Sequence, residues 1–122
     1  MTEHVEAPES LLPLPPATFQ ILVTLADQPK HGYAIMQDAA ARTSGEVKLG
    51  AGTLYRSIQR MLEQGLIAEV SQRQRPAREL DDERRRYYRI TPFGEAVARA
   101  EARRLGRLLK LARAAGLATG RA

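Results

Sequence analysis

Apolar side chains recur along this chain at helical spacing in four stretches. Phe19, Leu22, Leu25 and Ala26 stand three and four positions apart, which predicts a helix opening at Pro16 and running to about Asp27. Gln28-Pro29-Lys30 ends it. His31-Gly32-Tyr33 opens a second helix, to about Thr43, with Ile35, Met36, Ala39 and Ala40 as its buried stripe and His31 placed to cap it. Thr43-Ser44-Gly45 breaks that helix. A third runs from about Thr53 to Gln64, with Leu54, Ile58, Met61 and Leu62 on one narrow stripe and Gly65 as its stop residue. Thr91 as N-cap and Pro92 at the first helical position start a fourth, to about Ala115, with Leu105, Leu108, Leu109 and Ala112 on one face.

Between the third and fourth helices the period changes. Leu66 to Ser71 reads as a strand, Gln72 to Glu83 as a polar loop and Arg84 to Ile90 as the returning strand. Alternation turns Tyr88 and Ile90 one way and Tyr87 and Arg89 the other, which makes Tyr87 a candidate to face outward. Glu46 to Leu49 is a candidate small strand. Residues 1–15 are acidic and Pro-rich and read as a mostly flexible tail, with Leu11, Leu12 and Leu14 as candidates to dock on the domain or on a partner chain. No internal repeat is present.

The fold class is therefore mainly α with a small β-hairpin. Helix, helix, helix, hairpin is the winged helix-turn-helix plan, over residues 16–91. Three helices and a hairpin already close the core of so small a domain. The further long helix, within residues 92–117, is left as a partner surface, followed by a short tail at 118–122.

Charge sharpens this picture. The 122 residues suffice for one hydrophobic core, and their formal net charge is +5, carried almost wholly by Arg. Glu3, Glu6 and Glu9 lie in the tail, so the remainder is more basic still. Such a balance favours polyanions, although a solvated basic surface fits the charge alone equally well. The absence of cysteine excludes disulfides and thiolate metal sites. No apolar run approaches a membrane span and the acidic start does not resemble a signal peptide, so a soluble, cytoplasmic protein without membrane contact is expected.

The third helix carries the chemistry. Opposite its core stripe lie Thr53, Arg56, Gln59, Arg60 and Glu63, with Tyr55 at the edge. Arg can read guanine O6 and N7, Gln can read adenine N6 and N7, and a helix start bearing a Thr hydroxyl suits a phosphate. Alone, this is also what an ordinary surface helix of mixed charge shows. The hairpin adds Arg73, Arg75 and Arg78 in its loop and Arg84, Arg85 and Arg86 beyond it, placed to reach the minor groove or flanking phosphates. Asp81, Asp82 and Glu83 offset part of that charge. An enzyme finds no support: His31 suits capping or packing, no His/Cys/carboxylate cluster suits a metal, and Gly50-Ala51-Gly52-Thr53 lacks the lysine and spacing of a phosphate-binding loop. No cofactor is expected.

Four blocks together resemble the PadR family of transcriptional regulators: His31 to Ile35, Leu49 to Arg56, Glu63 to Ile67, and Arg85 to Gly94. The likeness covers about residues 12 to 115 and is to the short-type members, with a single C-terminal helix. It implies a homodimer binding a palindromic operator on double-stranded DNA, usually as a repressor, with possible release by a phenolic or other small hydrophobic effector. Carried over by position, Thr53, Tyr55, Arg56, Gln59 and Arg60 would read DNA, with Lys48, Arg73, Arg75, Arg78 and Arg84 on phosphates. Dimer contacts would come from Phe19 and Leu22 in the first helix and from Val97, Leu105, Leu108, Leu109 and Ala112 in the fourth. The chain departs from the family in having Ala51 where many members have Pro, and in lacking the tryptophan on which some short members stack flat ligands. Two rival readings stay open: a winged-helix protein-interaction module that binds no specific DNA, and a non-specific architectural DNA binder.

Overall fold

The computed structural model describes residues 7–46, 48–71 and 86–118. Helix α1 (Pro16–Thr24) is followed by strand β1 (Lys30–His31), helices α2 (Gly32–Arg42) and α3 (Ala51–Gln64), strands β2 (Ile67–Glu69) and β3 (Tyr87–Ile90), and helix α4 (Pro92–Ala114). A short 3-10 helix, Pro8–Leu11, precedes them. The chain is thus mainly helical, with four α-helices and a small antiparallel sheet among the described residues.

That sheet has three strands, not the two of a simple hairpin, in the order β1-β3-β2. β3 pairs with β2 through Ile67↔Ile90, Ala68↔Arg89 and Glu69↔Tyr88, and on its other side with β1 through Lys30↔Tyr88 and His31↔Tyr87. β1 is too short to show any period and follows a proline, so residue pattern could not reveal it. The small strand expected at Glu46 to Leu49 does not form: Glu46, Lys48 and Leu49 lie outside any strand.

The extra strand also corrects the orientation expected for Tyr87. Tyr87 is only 1% exposed, and its ring meets His31 edge-on, centroids 5.2 Å apart at 88°. Tyr88 is buried as well, in the main core, with Ile90 packed against it, and only Arg89 of β3 is exposed. Strand alternation holds, but both faces of β3 are covered at its start.

Helix ends follow their local chemistry. α1 stops three residues short of Asp27 because Lys30 folds back on its end: the ammonium donates to the Thr24 carbonyl and to the Asp27 carboxylate, the latter at 2.7 Å. His31 is the N-cap of α2, its Nδ1 accepting from the Ala34 amide at 3.2 Å. α3 starts two residues before the expected Thr53, behind Gly50, and has no side-chain cap. At its far end Gly65 adopts a left-handed φ of 77°, and the amides of Gly65 and Leu66 close on the Leu62 and Met61 carbonyls. Thr91 caps α4 by accepting from the Gly94 amide at 2.9 Å, while its hydroxyl donates to the Gly65 carbonyl at 2.6 Å. One side chain therefore joins the end of α3 to the start of α4.

The core gathers the inner stripes of all four helices with Leu66, Ile67 and Tyr88. Leu22 and Val97 are fully buried within it. They cannot serve as the dimer contacts expected of them unless the core opens. The N-terminal stretch is also more ordered than a flexible tail from residue 8 onward: Leu11 and Leu12 pack against the core, and Leu14 is buried in it.

Candidate nucleic-acid interface

α3 lays Leu54, Ile58 and Met61 onto the core. The same winding turns Thr53, Tyr55, Arg56, Gln59, Arg60 and Glu63 outward, all exposed. Because the helix begins at Ala51, Thr53 stands inside its first turn and is not its cap. Gln59 Nε2 donates to Glu63 Oε2 at 3.4 Å, a long bond. Arg56 and Arg60 make no ion pair among the described residues, so their donors face solvent.

Tyr55 leans toward α2. Its hydroxyl and ring cover Gly32, where an added Cβ would stand 2.5 Å from the hydroxyl oxygen. Half of Tyr55 stays exposed, and Tyr33, in the first turn of α2, is 57% exposed. Tyr33 received no role from residue pattern, although it sits in the His-Gly-Tyr block. Lys48 is exposed in the connection that leads into α3.

At the sheet, Arg89 is exposed on β3, and Arg86 lies just before β3 with its Nε 3.9 Å from Glu69 Oε2. That pair is too exposed and too long to immobilise Arg86. Burial, then the nearby Glu69 charge, pushes the Tyr88 hydroxyl above its ordinary pKa. Tyr88 is therefore a neutral hydroxyl at physiological pH. Arg73, Arg75, Arg78 and Arg84 lie outside the described residues.

A charge network braces the helices behind this face. Lys30 Nζ lies 2.7 Å from Asp27 and 3.7 Å from Asp38, and Arg42 Nε lies 2.7 Å from Asp38. The Lys30 hydrogen bond holds the Asp27 carboxyl below its usual range. Asp38 thus ties α2 to the end of α1.

The second half of α4 is different in kind. Its buried residues are Gly94, Val97, Ala100 and Glu101, all in the first half. Beyond them Leu105, Leu108, Leu109 and Leu111 are 39%, 49%, 44% and 66% exposed. Ala112 and Phe19 are half-buried. Arg103 and Arg107 face solvent, whereas Arg104 turns onto Glu101 and Arg113 is half-buried. Among the described residues no helix is long and apolar enough to cross a membrane.

Known proteins are similar to this chain in sequence or in fold. An uncharacterized 37.1 kDa protein of transposon TN4556 from Streptomyces fradiae is 37% identical over 92 residues, 75% of this chain and 24% of that protein. The chain thus spans about a quarter of the length of the curated relative it matches. A transcriptional regulator from Clostridium thermocellum shares the fold at a TM-score of 0.65 and 23% identity, over 79% of this chain and 88% of that one. A PadR family transcriptional regulator from Eggerthella lenta superposes at 0.58 with 26% identity, over 93% of this chain and 87% of that one. The family model described as "Transcriptional regulator PadR-like family" matches residues 21–100, from the middle of α1 through the first part of α4. By its sequence and its fold, the chain belongs to the PadR-like family of transcriptional regulators.

Proposed function

We propose that this protein is a sequence-specific DNA-binding repressor that acts as a homodimer on a palindromic operator. The observation that carries the reading is the outer face of α3. It presents Arg56, Gln59 and Arg60 together and exposed, the two arginines without an ion pair among the described residues. These groups match the donor and acceptor pattern of the major groove. The exposed leucines of α4 supply a reason to dimerise, since a contiguous solvent-facing apolar row marks an interaction surface and covering it removes apolar area from water. A two-fold dimer presents two α3 helices, which calls for two half-sites about one helical turn apart. A mostly apolar groove of about 280 Å³ between α1 and α4, walled by Phe19, Val23, Ile90 and Ala98 with Glu95 and Arg99 also lining it, offers room for a small hydrophobic or phenolic effector.

The test is selection of bound fragments from a random or genomic DNA pool, followed by gel-shift titration against scrambled DNA. Preference for one palindromic site is the expected outcome, and Arg56→Ala costs about 1–3 kcal/mol on that site and relaxes base preference. Equal affinity for selected and scrambled DNA would sink the reading. Repeating the titration with candidate phenolic compounds tests release.

A further inference from the structure

Between the first turn of α1 and α3 lies a groove of about 490 Å³ that shares Arg56, Gln59, Arg60 and Glu63 with the outer face of α3. Pro15 and Thr18 form one wall, and Arg56, Ser57 and Arg60 the other.

Three features of this groove have one explanation. α1 begins uncapped. Pro15 occupies the cap position with no side-chain acceptor, and the first backbone bond runs from the Phe19 amide to the Pro15 carbonyl. The Ala17 and Thr18 amides precede that bond and stand at the positive end of the helix. Thr18 is then only 5% exposed, yet its hydroxyl has no hydrogen-bond partner among the described residues. Burying an unpaired hydroxyl is unfavourable. Thr24, at the other end of the same helix, bonds to the Ile21 carbonyl at 2.9 Å, so the helix permits the ordinary solution that Thr18 forgoes. Finally, Arg56 and Arg60 stand one turn apart on the opposite wall, with no ion pair among the described residues. Gln59 and Glu63 also line the groove, and the Glu63 carboxylate, met only by a long 3.4 Å bond from Gln59, keeps a negative charge at its far end that Arg56 and Arg60 outnumber.

We propose that this groove seats one backbone phosphodiester of the bound DNA, with the Thr18 hydroxyl and amide donating to its oxygens and Arg60 neutralising its charge, while Arg56 is left to the bases. The proposal rests on the DNA-binding reading above. A free phosphate would meet the same donors. The duplex is the better occupant because the groove opens on the same face of α3, sharing Gln59 and Arg60 with it. α1 then acts as a clamp that fixes the position of α3 against the strand, and Thr18 is a positioning residue that reads no base.

The test uses the full chain, the selected operator and a set of duplexes that each carry a single neutral methylphosphonate. Thr18→Val should weaken binding by about three- to tenfold, equally on operator and scrambled DNA, the scale of one lost hydrogen bond to a charged group. Its melting temperature should hold or rise, because an unpaired hydroxyl is removed. On one duplex, with the methylphosphonate flanking the half-site, wild type and Thr18→Val should bind alike. Arg60→Gln should lower the slope of log affinity against log salt by about one phosphate contact. If Thr18→Val binds as tightly as wild type, or loses the same factor on every modified duplex while Arg56→Ala still loses affinity, the phosphate seat falls and the DNA reading stands. If the wild type binds no DNA, both fall. A saturable shift of the Thr18 amide resonance with inorganic phosphate at constant ionic strength that operator DNA fails to displace would assign the groove to a free anion and overturn the duplex assignment.

Discussion

The backbone amide of Leu14 donates to the Glu101 carboxylate at 3.2 Å, although the two residues are 87 positions apart in the chain. Glu101 is only 2% exposed, and it is held from the other side by Arg104, whose Nε and Nη2 lie 2.6 Å and 2.9 Å from its two oxygens. A single buried charge thus anchors the N-terminal segment onto α4, just before the exposed leucines begin.

Acid should loosen that anchor. The Arg104 hydrogen bonds, aided by the Leu14 amide, hold the Glu101 carboxyl below the usual glutamate range. A lowered folded value means its contribution is complete above the ordinary range and is lost as pH falls through the lowered one. Asp27 acts in the same direction through Lys30. Glu101→Gln should cost about 1–3 kcal/mol at neutral pH, less than a fully buried pair because Arg104 can turn to solvent. Urea midpoints at pH 7 and in acid should converge for the two proteins. Parallel curves across that range would remove Glu101 from the acid response.

Gly94 is fixed by space. A Cβ there would stand 2.1 Å from the Leu66 carbonyl oxygen and 3.0 Å from Ile90 Cγ1. That carbonyl cannot give way freely, since it accepts from both the amide and the hydroxyl of Thr91, each at 3.1 Å. Gly94→Ala should therefore destabilise by about 1–3 kcal/mol despite its better helix propensity, read as a lower urea midpoint.

Gly32 should behave in the opposite way. The atoms that a Cβ would meet there belong to the outer ring and hydroxyl of Tyr55, a half-exposed side chain that can swing aside. Gly32→Ala should leave the melting temperature nearly unchanged while moving Tyr55 out of its place at the α3 face. Operator affinity should then fall toward that of Tyr55→Ala, and the double variant should lose little more than either one alone. Additive losses would separate the two residues.

For the proposed homodimer, Leu105→Asp with Leu108→Asp is the direct test. Both side chains are already exposed in the single chain, so helical content should survive the change. Light scattering should report a monomer. A persisting dimer would place the interface elsewhere than on α4.

Periodicity was enough to place all four helices and the main returning strand. Stripes such as Leu54, Ile58 and Met61 are imposed by the helix repeat itself, and His31, Gly65 and Thr91 act within a few residues of their own position. The PadR-like blocks could be read for the same reason, being contiguous runs. Contacts between distant segments left no such trace. β1 is two residues long and exists only because β3 offers it a free edge, and that pairing decides that Tyr87 is inside. An apolar stripe announces that a side chain will be covered but not by what. Leu22 and Val97 are covered by their own chain, whereas Leu105 and Leu108, spaced in the same way, are left bare where α4 runs past the core. The bond from Leu14 to Glu101 and the burial of Thr18 likewise depend on which segments meet in three dimensions. Sequence determined the elements because their signals are local; tertiary structure alone decided which of their faces are core and which remain free to bind.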